Sequence, residues 1–162
     1  SRLAEAAELL GLDASEIVVN VQGDEPELDP GSIDAAVAQL ERTGADIATV
    51  ATPMDATEAD DPNIVKVVCR VDGLAMYFSR SRIPSVGDVL RHVGLYVYRR
   101  STLERYLSLE PTTGERAERL EQLRALEHGL SIAVAIRDES DPGIDTREQY
   151  DAFVARWRAA HG

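Results

Sequence analysis

Short apolar runs alternate with helical segments along most of this chain, and this alternation limits its fold more than any other feature. Residues 16–21, 45–52 and 131–136 are apolar almost without interruption, as strands buried within a sheet are. Asp72-Gly73 separates two further β-rich runs and is a strong hairpin signal. Strands alternating with helices predict an α/β three-layer sandwich with a mixed, mainly parallel sheet.

Glycines mark the ends of most of the predicted helices. We expect a first helix to stop at Gly11, a second to start near Ser32 as its N-cap and stop at Gly44, and a single long helix over residues 112–128 to stop at Gly129. An amphipathic helix closes the chain. Because no linker, repeat or low-complexity tract interrupts the pattern, residues 1–162 are predicted to form one domain.

Charge and composition exclude several classes of function. The chain has 17 basic and 29 acidic residues and a net charge of -12, which argues against nucleic-acid binding and fits simple solubility equally well. No apolar run is long enough for a membrane helix and no signal-peptide pattern is present, so we expect a cytoplasmic protein without membrane contact. The single cysteine, Cys69, reads as a buried apolar residue.

Polar and acidic residues crowd the end of the first predicted strand. The strand ends in Gln22, Gly23, Asp24 and Glu25, where an α/β sheet commonly binds its ligand. Gly23 would let the backbone turn, and a carboxylate at this position can hold Mg²⁺ together with waters and substrate phosphates. A turn with solvated acids is the alternative.

A second acidic turn, residues 138–146, follows the last predicted strand. Its Asp145 could complete a metal pair with a carboxylate at the end of the first strand. It precedes the closing helix, so Asp145 or Thr146 could equally be the N-cap of that helix.

Three further patterns contain candidate residues, and residue chemistry alone does not decide between a functional and a structural role for them. Arg80 lies in a Ser-Arg-Ser-Arg turn suited to phosphate or carboxylate, or to a solvated loop. His92 and Tyr96 lie on the same face of a predicted strand. They could bind a polyhydroxy substrate, or they could be buried core groups. Glu121 and Gln122 would ordinarily pass as helix-surface residues.

Several of these segments together resemble one family. The strings VNVQGDEP, YFSRSRIP, HVGLYVYRR, LEQLRALEHG and GIDT occur in this order in the 3-deoxy-D-manno-octulosonate cytidylyltransferases, the CMP-Kdo synthetases. The resemblance implies a nucleotidyltransferase-like fold and a Mg²⁺-dependent transfer in which the anomeric hydroxyl of Kdo attacks the α-phosphate of CTP. The products would be CMP-Kdo, for lipopolysaccharide biosynthesis, and pyrophosphate, and a homodimer would be the working form.

The resemblance also implies roles for individual residues. Asp24 and Asp145 would hold the metal and serve catalysis. Arg80 would be the basic residue of the YFSR turn. The sugar-acid pocket would be lined by Gln22, His92, Tyr96, Glu121 and Gln122.

The chain departs from the family pattern in two places. The family begins with strands and a basic loop that grips the CTP phosphates, which we expect to be missing here, and the segment after SRIP is short and lacks a further arginine. Two alternatives to the CMP-Kdo synthetase therefore stay open. One is a cytidylyltransferase for another sugar acid, such as sialic acid; the other is a non-catalytic fragment or a binding or dimerisation module.

Overall fold

The computed structural model describes residues 2–138, 144 and 146–161, and Asp145 lies outside this part of the chain. The strands are β1 (Ile17–Val21), β2 (Ile47–Met54), β3 (Lys66–Cys69), β4 (Ala75–Ser79), β5 (Val89–Arg99) and β6 (Ile132–Ile136). The helices are α1 (Arg2–Leu9), α2 (Pro30–Thr43), α3 (Arg100–Leu107), α4 (Thr113–Glu118), α5 (Gln122–Glu127) and α6 (Arg147–His161).

The strands form one six-stranded mixed sheet in which the long strand β5 is central. Its order is β4-β3-β5-β2-β6, and β1 pairs with the C-terminal half of β5. A mixed sheet is confirmed, but the prediction that it is mainly parallel is wrong. Within the described residues only β2 and β6 pair in parallel, while β5 runs antiparallel to β1, β2 and β3. An apolar run indicates that both faces of a strand are buried. Helices on the two faces of a sheet bury a strand whether its neighbours run parallel or antiparallel to it, so the run does not reveal the strand's direction.

Two apolar cores lie on opposite faces of the sheet, which confirms the three-layer arrangement. On one face, Ala36 and Leu40 of α2 pack against β2, β5 and β6. On the other, Leu103 of α3 and Leu123 of α5 join a core that includes Phe78. Each face of the sheet therefore needs its own helical layer to bury it.

The first two helices end next to the predicted glycines, but the predicted start of α2 is wrong. Gly11 and Gly44 adopt the left-handed conformation with φ of 65°. Ser32 is not an N-cap: α2 starts at Pro30, preceded by Asp29, and Ser32 is buried within the helix. Proline lacks an N–H and favours the first helical position, which sets the N-cap and the start three residues earlier than predicted. Thr146 caps α6, since its Oγ1 accepts from the Gln149 backbone N–H at 3.2 Å.

The predicted long helix over residues 112–128 is two short helices, α4 and α5. Arg119 between them adopts φ of 56°, and it is the one non-glycine residue with positive φ among the described residues. Thr112 and Glu115 form a reciprocal capping box at the start of α4. The break turns α5 relative to α4 and places Glu121 and Gln122 at its N-terminal end.

No helix in the described part of the chain is long and apolar enough to cross a membrane.

Candidate active site

A polar cleft of about 270 Å³ lies over the face of the sheet formed by β1 and β5, beside the start of α5. Strand ends, the break after α4 and the turn after β4 all contribute to its wall. The residues that line it are Asn20, Gln22, Asp24, Glu25, Ile47, Asn63, Ile64, Val65, Arg80, Arg91, His92, Gly94, Tyr96, Tyr98, Tyr106, Arg119, Leu120, Glu121 and Gln122. Concave sites with a few convergent polar groups are where small-molecule ligands bind.

An irregularity in β5 opens the floor of the cleft. Thr49 of β2 pairs with Tyr96 and the next residue, Val50, pairs with Val93, so Gly94 has no partner on β2. The Gly94 backbone N–H instead donates to Oε1 of Glu25 at 3.0 Å. A Cβ at position 94 would lie 2.6 Å from Oε1 of Gln22. Glycine at this position therefore lets the Gln22 side chain lie against the strand.

Gly23, by contrast, does not need the conformational freedom that the sequence suggested. Its φ lies outside the left-handed region, and a Cβ at this position would meet nothing within 4 Å in the described structure. The turn after β1 is instead set by backbone hydrogen bonds, including one from Glu25 to the Gln22 carbonyl at 3.1 Å.

The imidazole of His92 is buried between aromatic rings. It meets Phe78 edge-on at a centroid distance of 5.1 Å and lies 5.3 Å from the Tyr96 ring. Its Nε2 is 2.8 Å from Oγ1 of Thr49, which is itself fully buried. Burial lowers the pKa of His92 from 6.5 to about 3, so the ring is neutral at physiological pH.

Two tyrosines extend this wall along β5. The rings of Tyr96 and Tyr98 stack at 6.5 Å with an interplanar angle of 3°. The Tyr98 hydroxyl accepts from Nδ2 of Asn20 at 3.3 Å, and burial raises the pKa of Tyr96 above its ordinary value. Both phenols therefore stay protonated at neutral pH and can donate hydrogen bonds.

The break at Arg119 supplies the facing wall. The Tyr106 hydroxyl donates to the backbone carbonyl of Glu121 at 3.1 Å, which fixes the start of α5. Gln122 is buried, and its amide has no hydrogen-bond partner among the described residues. An amide at the cleft wall that bonds no other described residue can both donate to and accept from a polar ligand.

Arg80 is anchored at the rim by backbone and acidic partners. Its Nε donates to the Glu118 carbonyl at 3.2 Å and its Nη1 to the Pro62 carbonyl at 3.0 Å. The Glu118 carboxylate accepts from the Ser79 hydroxyl and from the Arg80 backbone N–H, each at 2.9 Å. The turn after β4 is thus tied to the end of α4.

A fully buried ammonium group supports this rim from below. Nζ of Lys66 donates to the backbone carbonyls of Asp61, Ile64 and Arg80 at 2.7, 2.7 and 2.5 Å. Burial lowers the pKa of Lys66, while the nearby Asp61 carboxylate raises it. Three carbonyl acceptors need three N–H donors, so the side chain is an ammonium ion.

Two arginine side chains in the cleft have no acidic partner among the described residues. The side chains of Arg91 and Arg119 line it and make no ion pair or hydrogen bond with other described residues. They lie in one cleft with the carboxylates of Asp24 and Glu121. The site can therefore receive a ligand that carries both an anionic group and hydroxyls.

Asp24 is exposed at the edge of the cleft, at the end of β1. Its backbone carbonyl accepts from the Ile144 N–H at 2.7 Å, which ties the turn after β1 to the segment before α6. The described residues contain no group of three His, Cys, Asp or Glu side chains that could hold a metal by themselves. Mg²⁺ typically takes only one or two protein carboxylates, so Asp24 fits such a role without a cluster.

Apart from Asp145, every residue predicted for the site lines this one cleft. Their roles in binding and catalysis stay predictions. Sequence reasoning missed Thr49, Glu118 and the support from Lys66. The only available signal was that Lys66 is the one lysine in the chain, placed within a run of valines.

Comparison with known proteins assigns the fold to the α/β nucleotidyltransferase class. A solved structure of a CMP:2-keto-3-deoxy-manno-octonic acid synthetase complexed with CTP superposes with a TM-score of 0.88 at 34% identity, over 98% of this chain and 67% of that chain. A family model described as cytidylyltransferase matches residues 1–132.

Curated relatives narrow the assignment. A 3-deoxy-manno-octulosonate cytidylyltransferase of Xanthomonas campestris is 44% identical over 98% of this chain and 70% of its own length. The protein of that name from Dichelobacter nodosus is 54% identical over 82% of this chain and 57% of its own length. This chain therefore belongs to the cytidylyltransferase family, in the branch of the 3-deoxy-manno-octulosonate cytidylyltransferases. It spans 57% to 70% of the length of these two relatives.

Proposed function

We propose that this chain carries the sugar-acid pocket of a CMP-Kdo synthetase, which transfers CMP from CTP to the anomeric hydroxyl of Kdo and releases pyrophosphate. One observation carries the proposal: side chains from β1, β5, the turn after β4 and the start of α5 meet in a single polar cleft. Kdo has a carboxylate and several hydroxyls, and the cleft offers matching cations and hydrogen-bonding groups.

The proposed roles divide the cleft by chemistry. Gln22, Gln122, His92 and Tyr96 hydrogen-bond the hydroxyls, and Glu121 accepts from one of them. Arg80 and Arg91 attract the carboxylate, because guanidinium groups bind carboxylates in a fork-like geometry. Arg91 thereby takes the place of the arginine that the short segment after SRIP lacks.

Asp24 and Asp145 are proposed to hold Mg²⁺. The fit is supported by the exposed position of Asp24 at the cleft and by the backbone hydrogen bond from Ile144, the residue before Asp145, to the Asp24 carbonyl at 2.7 Å. When bound, the ion would neutralise phosphate charge on CTP. The residues of the chain orient the sugar acid so that its anomeric hydroxyl faces the nucleotide, and they exclude water from its buried side.

Wider properties of the protein belong to the same proposal. CTP is a cytoplasmic nucleotide, so a cytoplasmic enzyme of lipopolysaccharide biosynthesis is inferred, working as a homodimer. We also propose that residues 1–162 form one domain, and that the strands and loop that hold the CTP phosphates in the family have no counterpart within them.

Pyrophosphate release by the purified protein with CTP, Kdo and Mg²⁺ tests the proposal, with Asp24→Ala as the control for metal-dependent transfer. Calorimetric titration with Kdo alone measures the pocket separately. Release that Asp24→Ala abolishes supports the enzyme. Kdo binding without release indicates a binding module, whereas turnover of sialic acid in preference to Kdo assigns another sugar acid. A folded protein that neither binds nor turns over either sugar acid contradicts the proposal.

A further inference from the structure

Thr49 lies directly beneath the cleft, at the point where the pairing of β2 and β5 is interrupted. Partner residues on β5 jump from Tyr96 to Val93 across the Thr49–Val50 step, so Leu95 is left without a partner on β2. The Thr49 hydroxyl bridges the two strands at this interruption, since its Oγ1 donates to the Leu95 carbonyl at 2.6 Å. Thr49 is 0% exposed, so no solvent competes for this hydroxyl.

The number of protons at this hydroxyl determines the tautomer of the neighbouring imidazole. A hydroxyl has one proton, and a carbonyl oxygen can only accept, so the Thr49 proton is committed to Leu95. Oγ1 also lies 2.8 Å from Nε2 of His92. That contact is a hydrogen bond only if Nε2 carries the proton and donates it to Oγ1. The neutral ring then has its lone pair on Nδ1.

The reverse arrangement loses a buried hydrogen bond. If the hydroxyl turned to donate to Nε2, the Leu95 carbonyl would lose this donor, and the loss of a hydrogen bond in a site closed to solvent is costly. The Phe78 and Tyr96 rings hold the imidazole on both sides, which keeps Nε2 directed at Thr49. The His92 ring makes no other hydrogen bond with the described residues, and it lines the cleft.

We propose that Thr49 is a positioning residue that locks His92 as the Nε2–H tautomer, so that Nδ1 is a hydrogen-bond acceptor for a ligand hydroxyl in the cleft. The identity of that ligand as Kdo rests on the proposed function; the tautomer does not. His92 contacts the ligand, and Thr49 acts only through it. The site thereby selects a group that donates a hydrogen bond, and it disfavours an ether or carbonyl oxygen at the same position.

Side-chain ¹⁵N spectra of the ligand-free protein test the tautomer directly. Protonated and unprotonated ring nitrogens have well-separated ¹⁵N shifts, and the chain has three histidines, so loss of one signal in His92→Gln gives the assignment. We expect a protonated Nε2 and an unprotonated Nδ1 in the wild type. A protonated Nδ1 would overturn the proposal whatever the activity of the protein.

Three variants of β2 test the role of the hydroxyl. Thr49→Val removes it at nearly constant shape and should yield a mixture of tautomers, whereas Thr49→Ser keeps it and should retain the wild-type spectrum. Thr52→Val is the matched control, because Thr52 is equally buried on the same strand and its Oγ1 has no partner among the described residues. If Thr49→Val fails to fold, the spectra of Thr49→Ser and of the wild type still show whether His92 is the Nε2–H tautomer.

Kinetics then connect the tautomer to ligand binding. Thr49→Val should raise KM for Kdo roughly tenfold, as expected for one lost hydrogen bond, with kcat and KM for CTP changed less than about twofold. Thr49→Ser should recover most of the loss. An equal loss in Thr49→Val and Thr52→Val would mean a merely structural effect and would overturn the proposal. If no substrate is turned over, the proposed function fails while the spectra still judge the tautomer.

Discussion

The buried imidazole of His92 should make this fold less stable on acidification. Its pKa is lowered from 6.5 to about 3 by burial, with no charged partner that offsets the loss of hydration. Between these two values the unfolded chain binds a proton that the folded chain does not. The neutral ring therefore contributes fully above pH 6.5, and its contribution is lost as the pH falls towards about 3.

The size of the effect follows from the two pKa values. One pKa unit corresponds to about 1.4 kcal/mol, so lowering the pH from 7 to 5 should reduce the free energy of unfolding by about 2 kcal/mol through His92. For a domain that is stable by about 5–15 kcal/mol, this loss is easily measured.

Urea unfolding at pH 7, 6 and 5 measures this loss in the wild type and in His92→Gln, which cannot titrate at this position. Carboxylates contribute to both curves and cancel in the comparison. The wild type should lose about 2 kcal/mol more than the variant between pH 7 and 5. Equal losses in the two proteins, or an NMR titration of His92 with a midpoint near its ordinary pKa, would refute the reasoning.

Three further predictions concern the walls of the cleft and the thiol outside it. Gly94→Ala should raise KM for Kdo roughly tenfold by displacing Gln22, and it should add little in a Gln22→Ala background; equal effects in both backgrounds would exclude this cause. Lys66→Met should lower the free energy of unfolding in urea by on the order of 3 kcal/mol, because three carbonyls lose their donor, whereas the exposed control Arg116→Met should change it by less than about 0.5 kcal/mol. Burial raises the pKa of the Cys69 thiol, so iodoacetamide should modify it more slowly in the folded protein than in urea, and equal rates would contradict this.

Local patterns in the sequence were enough to place most of the elements. The apolar runs mark β1, β2 and β6, and Asp72-Gly73 marks the β3–β4 hairpin, in which Gly73 has φ of 85°. These features depend on a few neighbouring residues and on burial. The direction of β5 cannot be predicted from such local patterns, because an apolar run carries no information about which strand lies beside it.

The break between α4 and α5 shows why part of the site was hidden. Residues 112–128 have good helical periodicity, and no glycine or proline marks Arg119 as a boundary. Tertiary contacts favour the break: Glu118 binds the turn after β4, and Tyr106 holds the Glu121 carbonyl. A left-handed residue costs about 1–2 kcal/mol, and only contacts between distant parts of the chain can offset this cost. Glu121 and Gln122 were therefore found by family resemblance and not by residue chemistry.

Thr49 was missed for a related reason. In the sequence it is one threonine within an apolar strand, and nothing local distinguishes it from Thr52. Its importance comes from the interruption in pairing with the neighbouring strand, where Leu95 has no paired residue on β2 and its carbonyl accepts from the Thr49 hydroxyl. Such interruptions depend on two strands at once, and a single sequence does not reveal them.

The buried Lys66 ammonium has a practical consequence for covalent labelling. It is the chain's only lysine side chain, and in the folded state its three protons are bound to carbonyls that support the rim of the cleft. An amine-acylating reagent can modify this side chain only when the surrounding loops open and the ammonium loses a proton. The acylation rate of Lys66, followed by mass spectrometry, therefore reports how often the cleft wall opens, and a ligand that closes the cleft should slow it.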